Sequence, residues 1–138
     1  MIRANIYLEK YNWMVRCYIA VTHYACDDIL ATIRRMGCRG KIYDDAKNNL
    51  CNGAINSGLT YTSFRKRESV MVTAIADSAK EQYNTLSHEI AHVCAHIAEG
   101  VGIDPSSEEF AYLVGDLSMA LFPKVKRLLC DCCRQGKR

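Results

Sequence analysis

Residues 88 to 92 read His88-Glu89-Ile90-Ala91-His92, and these types at this spacing point to metal-assisted hydrolysis. On a helix, positions i and i+4 lie on one face, about one turn apart. Two imidazoles so placed can hold one Zn²⁺. The glutamate beside the first histidine can then take a proton from a metal-bound water. Five residues are short enough to match by chance. The rest of the chain must therefore supply a helix, a third ligand and a substrate groove.

The helix is the clearest of the three. No Pro or Gly interrupts residues 79 to 99, and Asp77-Ser78 suits an N-terminal cap. Gly100 and Gly102 suit its end. Leu86, Ile90, Val93, Cys94 and Ile97 form an apolar helical stripe, which leaves His88 and His92 on another face. A catalytic zinc takes three protein ligands and keeps one open position. Glu99 is on the same helix, two turns past His92, and cannot serve. Asp104-Pro105 is expected to open a following helix, with Asp as N-cap and Pro as first helical residue. Phe110, Leu113, Val114, Leu117 and Leu121 are its predicted inner stripe. If that helix packs back on the first, it can present an acid to the histidines.

Glu109, at the edge of the inner face, is the expected third ligand, with Glu108 and Asp116 as alternatives. Glu109 also fits a capping box with Ser106. Asp116 fits a role behind the metal, orienting a histidine ring. His96 continues the run at i+8, but eight residues span ~12 Å of helix axis. It is expected beside the groove or at the surface, and the isolated His23 at a strand end or in the core.

The elements that position these residues follow from periodicity. Ile6 and Leu8, then Trp13, Val15, Cys17, Ile19 and Val21, alternate with period two, predicting a hairpin over the first 22 residues. Lys10-Tyr11-Asn12 is its turn. Asp27-Asp28 begin a helix carrying Ile29, Leu30, Ile33 and Met36, which Gly37 ends. A second helix spans about Lys41 to Cys51, with Ile42, Tyr43, Ala46 and Leu50 inward and Gly53 closing it. Leu59–Ser63 and Val70–Ile75 are β-rich and flank an exposed turn, Arg65-Lys66-Arg67-Glu68. Pro123 is expected to break or kink the chain ahead of a short basic helix through Val125, Leu128 and Leu129. The predicted fold is α+β: a small mixed or antiparallel sheet, made of the hairpin and two further strands, packed with the motif helix and flanking helices. One domain over residues 1–138 is expected.

Composition narrows the class. Apolar residues make up 49% and charged residues 24% of the 138, ordinary for a soluble globular protein. No apolar run reaches the length of about 18 residues that a membrane span requires. The first residues lack the layout of a secretion signal, so a cytoplasmic location is expected. The eight cysteines (17, 26, 38, 51, 94, 130, 132 and 133) are then expected as free thiols. Cys130, Cys132 and Cys133 lack the CxxC spacing of a zinc site. The net charge of +3 is uneven, because Lys124, Lys126, Arg127, Arg134, Lys137 and Arg138 face only Asp131 in the 124–138 tail. Such a tail can hold an acidic partner. A solvated, frayed end is the expectation, and nucleic acid is not an expected partner.

The order of sheet, HExxH helix, Gly-containing loop and helix opening with Glu resembles a minimal gluzincin-type zinc metallopeptidase, over His88 to Leu121. More loosely, it is similar to small cytoplasmic HExxH peptidases that cleave phage and stress repressors. The whole chain also resembles small HExxH proteins encoded by phages and mobile elements of gut Bacteroidetes. Gly58-Leu59-Thr60-Tyr61, Arg67-Glu68-Ser69-Val70 and Glu108-Glu109-Phe110-Ala111-Tyr112-Leu113 carry that second likeness. The resemblance implies a zincin-like fold and a phage or prophage setting. It implies Zn²⁺ on His88, His92 and Glu109, Glu89 as general base, and a protein or peptide substrate. It further implies that the strand before the motif helix, Val70–Ile75, borders the groove. The family's oxyanion helper, a Tyr or His from a separate C-terminal segment, has no clear counterpart, Tyr83 and Tyr112 being the candidates. The expected activity is peptide-bond hydrolysis. The alternative is a non-enzymatic zincin-fold protein, a phage structural or host-takeover component, which could accompany the virion.

Overall fold

Four strands form one sheet in the order β1-β2-β4-β3. The computed structural model describes residues 1–22, 25–51 and 58–136. His23, Gly53, Lys137 and Arg138, each given a role above, lie outside the described residues. β1 (Ile2–Leu8) and β2 (Trp13–Val21) make the predicted antiparallel hairpin. A 3-10 turn at Glu9–Tyr11 joins them, closed by Asn12 in the left-handed region at φ 48°. β3 (Gly58–Ser63) and β4 (Glu68–Ala74) form a second antiparallel pair. β2 and β4 run parallel and zip the two pairs into a mixed sheet. The register shifts between Tyr18 and Val21, where Ala20 adopts a positive φ of 58°. This is a bulge that bends the strand end.

Helices cover both faces. α1 (Cys26–Arg35) and α2 (Gly40–Cys51) pack on one side. There Ile29, Leu30, Ile33, Met36, Ala46 and Leu50 meet Tyr18, Val70 and Val72. α3 (Ala79–Val101) and α4 (Glu108–Val125) pack on the other, against Trp13, Val15, Cys17, Ile19 and Met71. β2 and β4 are thus interior strands covered on both faces, so β2 is buried on more than the one face that its period-two alternation implies. Among the described residues, no helix is long and apolar enough to cross a membrane.

Several local expectations need correction. Ile42 points outward, 64% exposed, because the inner face of α2 is set by Ala46 and Leu50. Gly100 does not stop α3. It lies inside the helix, where a Cβ would come within 2.8 Å of the Trp13 ring. The stop is Gly102, at φ 79°. Neither Asp104 nor Ser106 caps α4. Asp104 accepts from the Ser106 backbone and hydroxyl at 2.9 Å, which folds 104–106 into a local turn. Ser107 becomes the N-cap, accepting from the Phe110 N–H at 3.2 Å. Pro123 sits within α4, two residues before its end, where the lost hydrogen bond falls near the exposed Met119.

The basic tail is docked. Residues 126–129 form turns, and the short helix α5 (Asp131–Arg134) follows. Asp131 accepts from the Ala79 N–H at 2.8 Å, and Arg134 donates to the Ala76 carbonyl. The first contact holds the start of α3 and the second the segment leading into it, so the frayed-end expectation fails for the described part of the tail.

Candidate metal and catalytic site

On α3, His88 and His92 stand one turn apart and both rings are exposed. Their Nε2 atoms lie 3.0 Å apart, with ring centroids at 4.7 Å. Two nitrogens on one tetrahedral zinc, each at ~2.0–2.1 Å, would be separated by about 3.3 Å. The pair needs only a few tenths of an ångström of opening to share an ion. Glu89 is one position round the helix and turns into the protein, only 2% exposed. The Thr60 hydroxyl donates to its Oε2 at 2.6 Å. Gly58 makes room for this carboxylate. A Cβ at Gly58 would strike the Val72 carbonyl and lie 2.8 Å from Glu89 Cγ and Oε1.

Gly58, Leu59 and Thr60 face His88, Glu89, His92 and His96 across a groove of about 360 Å³. The groove therefore lies between α3 and β3. This corrects the strand assignment. Val70–Ile75 falls on β4, whose two edges are occupied by β2 and β3. Of the two edge strands, β1 and β3, it is β3 that borders the groove.

Glu109 is placed elsewhere. It accepts from the Tyr11 hydroxyl at 3.1 Å and pairs with Lys10 at 3.4 Å, beside the hairpin turn. Glu108 and Asp116 are exposed on the same helix. The cause is which face of α3 each neighbour covers. α4 presents Met119 and Phe122 to a groove that α3 lines with Tyr83, Leu86, Ser87 and Ile90. Ile90 is about 200° round the helix from His88. The acids of α4 thus stand on the side away from the histidine pair. Among the described residues, no third His, Cys, Asp or Glu atom gathers with His88 and His92. Tyr83 and Tyr112, 61% and 66% exposed, are not in the groove lining.

His96 borders the groove, half-buried, with Nδ1 2.8 Å from Thr62 Oγ1. Burial, and next the neighbouring His92, hold its pKa below the ordinary imidazole value, while Glu99 pulls the other way. Thr62 also lies 2.8 Å from Ser69 Oγ, directly across the β3–β4 register, and the Trp13 indole donates to that oxygen at 3.0 Å. Sequence reasoning missed Gly58, Thr60, Thr62 and Ser69. Their signal was present: Gly58, Thr60 and Thr62 alternate along β3, so all three face α3.

All eight cysteines are free, and Cys130, Cys132 and Cys133 are exposed. Another group was not foreseen. Cys26, Asp27 and Cys51 bring ligand atoms within 4.8 Å of one another where α1 begins and α2 ends. That donor set could hold a metal ion.

Compared with known proteins, the chain matches no family model, no curated protein and no solved structure.

Proposed function

We propose that the chain is a small zinc-dependent hydrolase acting on peptide bonds, with a zincin-like arrangement of HExxH helix against an edge strand. The observation that carries this is the His88–His92 nitrogen pair, 3.0 Å apart, opening on the same groove as Glu89. The pair fits two positions of a tetrahedral ion. Bound there, Zn²⁺ would polarise a carbonyl and acidify water at neutral pH. Every other part of the chemistry falls to the chain. Thr60 engages Oε2 of Glu89, so Oε1 is the oxygen left to accept a proton from the attacking water. Glu89 then returns that proton to the departing amine. Burial of Glu89 fixes its rotamer, and Gly58 keeps the space beside Oε1 clear. The free edge of β3 offers main-chain partners to an extended peptide lying along the groove.

Substitution of Glu89 by Gln tests this. Zinc content and fold should persist while cleavage of a peptide library falls by about 10²–10⁴-fold. Undiminished cleavage would sink the proposal.

A second reading is a zincin-like protein that binds without cleaving, in a phage structural or host-takeover role. The position of Glu109, engaged with Lys10 and Tyr11, favours it, because the pair then has two protein ligands rather than three. Zinc-loaded protein that cleaves no peptide, yet retains a partner from its host, would select this reading.

A further inference from the structure

The zinc reading leaves His96 without a task, although it lines the same groove two turns past His88. Its hydrogen bonds reach back into the core. Trp13 Nε1, Ser69 Oγ, Thr62 Oγ1 and His96 Nδ1 form a chain with separations of 3.0, 2.8 and 2.8 Å. Heavy atoms alone leave the direction of the last two bonds open, but the proton inventory fixes the first of these. The indole N–H can only donate. Ser69 is fully buried and owns one hydroxyl proton. Among the described residues, the only acceptor its hydroxyl finds is Thr62 Oγ1. Were Thr62 to donate to Ser69 instead, the Ser69 proton would be stranded in the core at a cost of about 1–3 kcal/mol. Ser69 therefore donates to Thr62, which leaves Thr62 its own single proton to offer to His96 Nδ1. An imidazole that accepts at Nδ1 and is neutral carries its proton on Nε2. That nitrogen has no hydrogen-bond partner among the described residues and is not sealed in the core.

We propose that His96 donates a hydrogen bond from Nε2–H to the carbonyl oxygen of the scissile bond, its tautomer set by the Trp13–Ser69–Thr62 relay. The proposal rests on the hydrolase reading above. As the carbonyl carbon becomes tetrahedral, negative charge gathers on that oxygen, and a groove-lining donor whose tautomer is already set needs little reorganisation to meet it. The relay also separates His96 from the metal ligands, since a protonated Nε2 cannot bind an ion. One residue of the motif helix thereby takes the role that the resemblance assigns to a separate segment.

The experiment has two readouts on zinc-loaded protein. Long-range proton–nitrogen NMR of the histidine rings reads the tautomer directly. The expected result is a proton on Nε2 of His96, and loss of that single form in Thr62→Val. A proton on Nδ1 overturns the proposal without touching the metal site. Kinetics on a cleaved peptide is the second readout. His96→Ala should lower kcat by about 10²–10³-fold with zinc content and KM little changed. His96→Gln, which can place an amide N–H near the same point, should recover part of the loss. Wild-type kcat in His96→Ala, or loss of zinc in that variant, overturns the proposal. If wild-type protein binds zinc but cleaves nothing, the hydrolase reading falls and the catalytic assignment falls with it. NMR in that case still judges the relay.

Discussion

Glu89 owes its position to two small residues on β3. Thr60 grips one carboxylate oxygen at 2.6 Å, and Gly58 leaves the space that the rest of the side chain fills. Thr60→Val keeps the shape and removes the grip. It should lower kcat by between about tenfold and 10²-fold through misplacement of the base, with zinc content unchanged. Steady-state kinetics beside metal analysis checks this. Gly58→Ala is a different experiment, because the added methyl meets a backbone carbonyl that cannot swing aside. A loss of about 1–3 kcal/mol in urea unfolding is expected. Stability equal to wild type would mean that β3 and α3 are further apart than described.

At the scale of elements, α3 is anchored at its start by two devices. Ser78 accepts from the Glu81 N–H, and Asp131 reaches in from α5 to accept from the Ala79 N–H at 2.8 Å. Asp131→Ala should destabilise the protein by about 0.5–2 kcal/mol, and hydrogen exchange should quicken first in the opening turn of α3. Unchanged exchange there would show that the tail does not bear on the helix. The existence and type of the main helices and strands were legible in the sequence, because long periodic stretches such as 79–101 and 108–121 admit one pattern. Caps were not, since Asp104, Ser106 and Ser107 all offer suitable oxygens and only the packing of the 102–107 loop chooses among them. The placement of Glu109 was not legible for a deeper reason. Periodicity shows which residues share a helix face, but not which neighbour covers that face. Strand order decides that, and β4 lies inside the sheet while β3 is at its edge. The histidine pair and its glutamate could be read off directly because they are local to one helix. Their partners Thr60, Thr62 and Ser69 come from strands whose order no local pattern reveals.

For the whole molecule, the buried thiols give a pH signature that is separate from the groove. Burial pushes Cys17 and Cys94 up to about 12 from the ordinary thiol value of 9.0. A raised folded-state value means that the unfolded chain loses these protons first. Stability from this source is complete below pH 9 and is lost as pH rises towards 12. Denaturation at pH 8 and pH 10.5 should therefore show lower stability at the higher pH, and Cys17→Ala/Cys94→Ala should flatten the slope. Thiol reagents at pH 8 should label Cys130, Cys132 and Cys133 well before Cys17 and Cys94. Two candidate clusters compete for a metal ion: His88 with His92, and Cys26, Asp27 and Cys51. Zinc analysis of purified wild type, His88→Ala and Cys51→Ser separates them in one measurement. About one zinc per chain is expected in wild type, lost in His88→Ala and retained in Cys51→Ser. Wild type without zinc, or zinc that survives His88→Ala and disappears with Cys51→Ser, would contradict it.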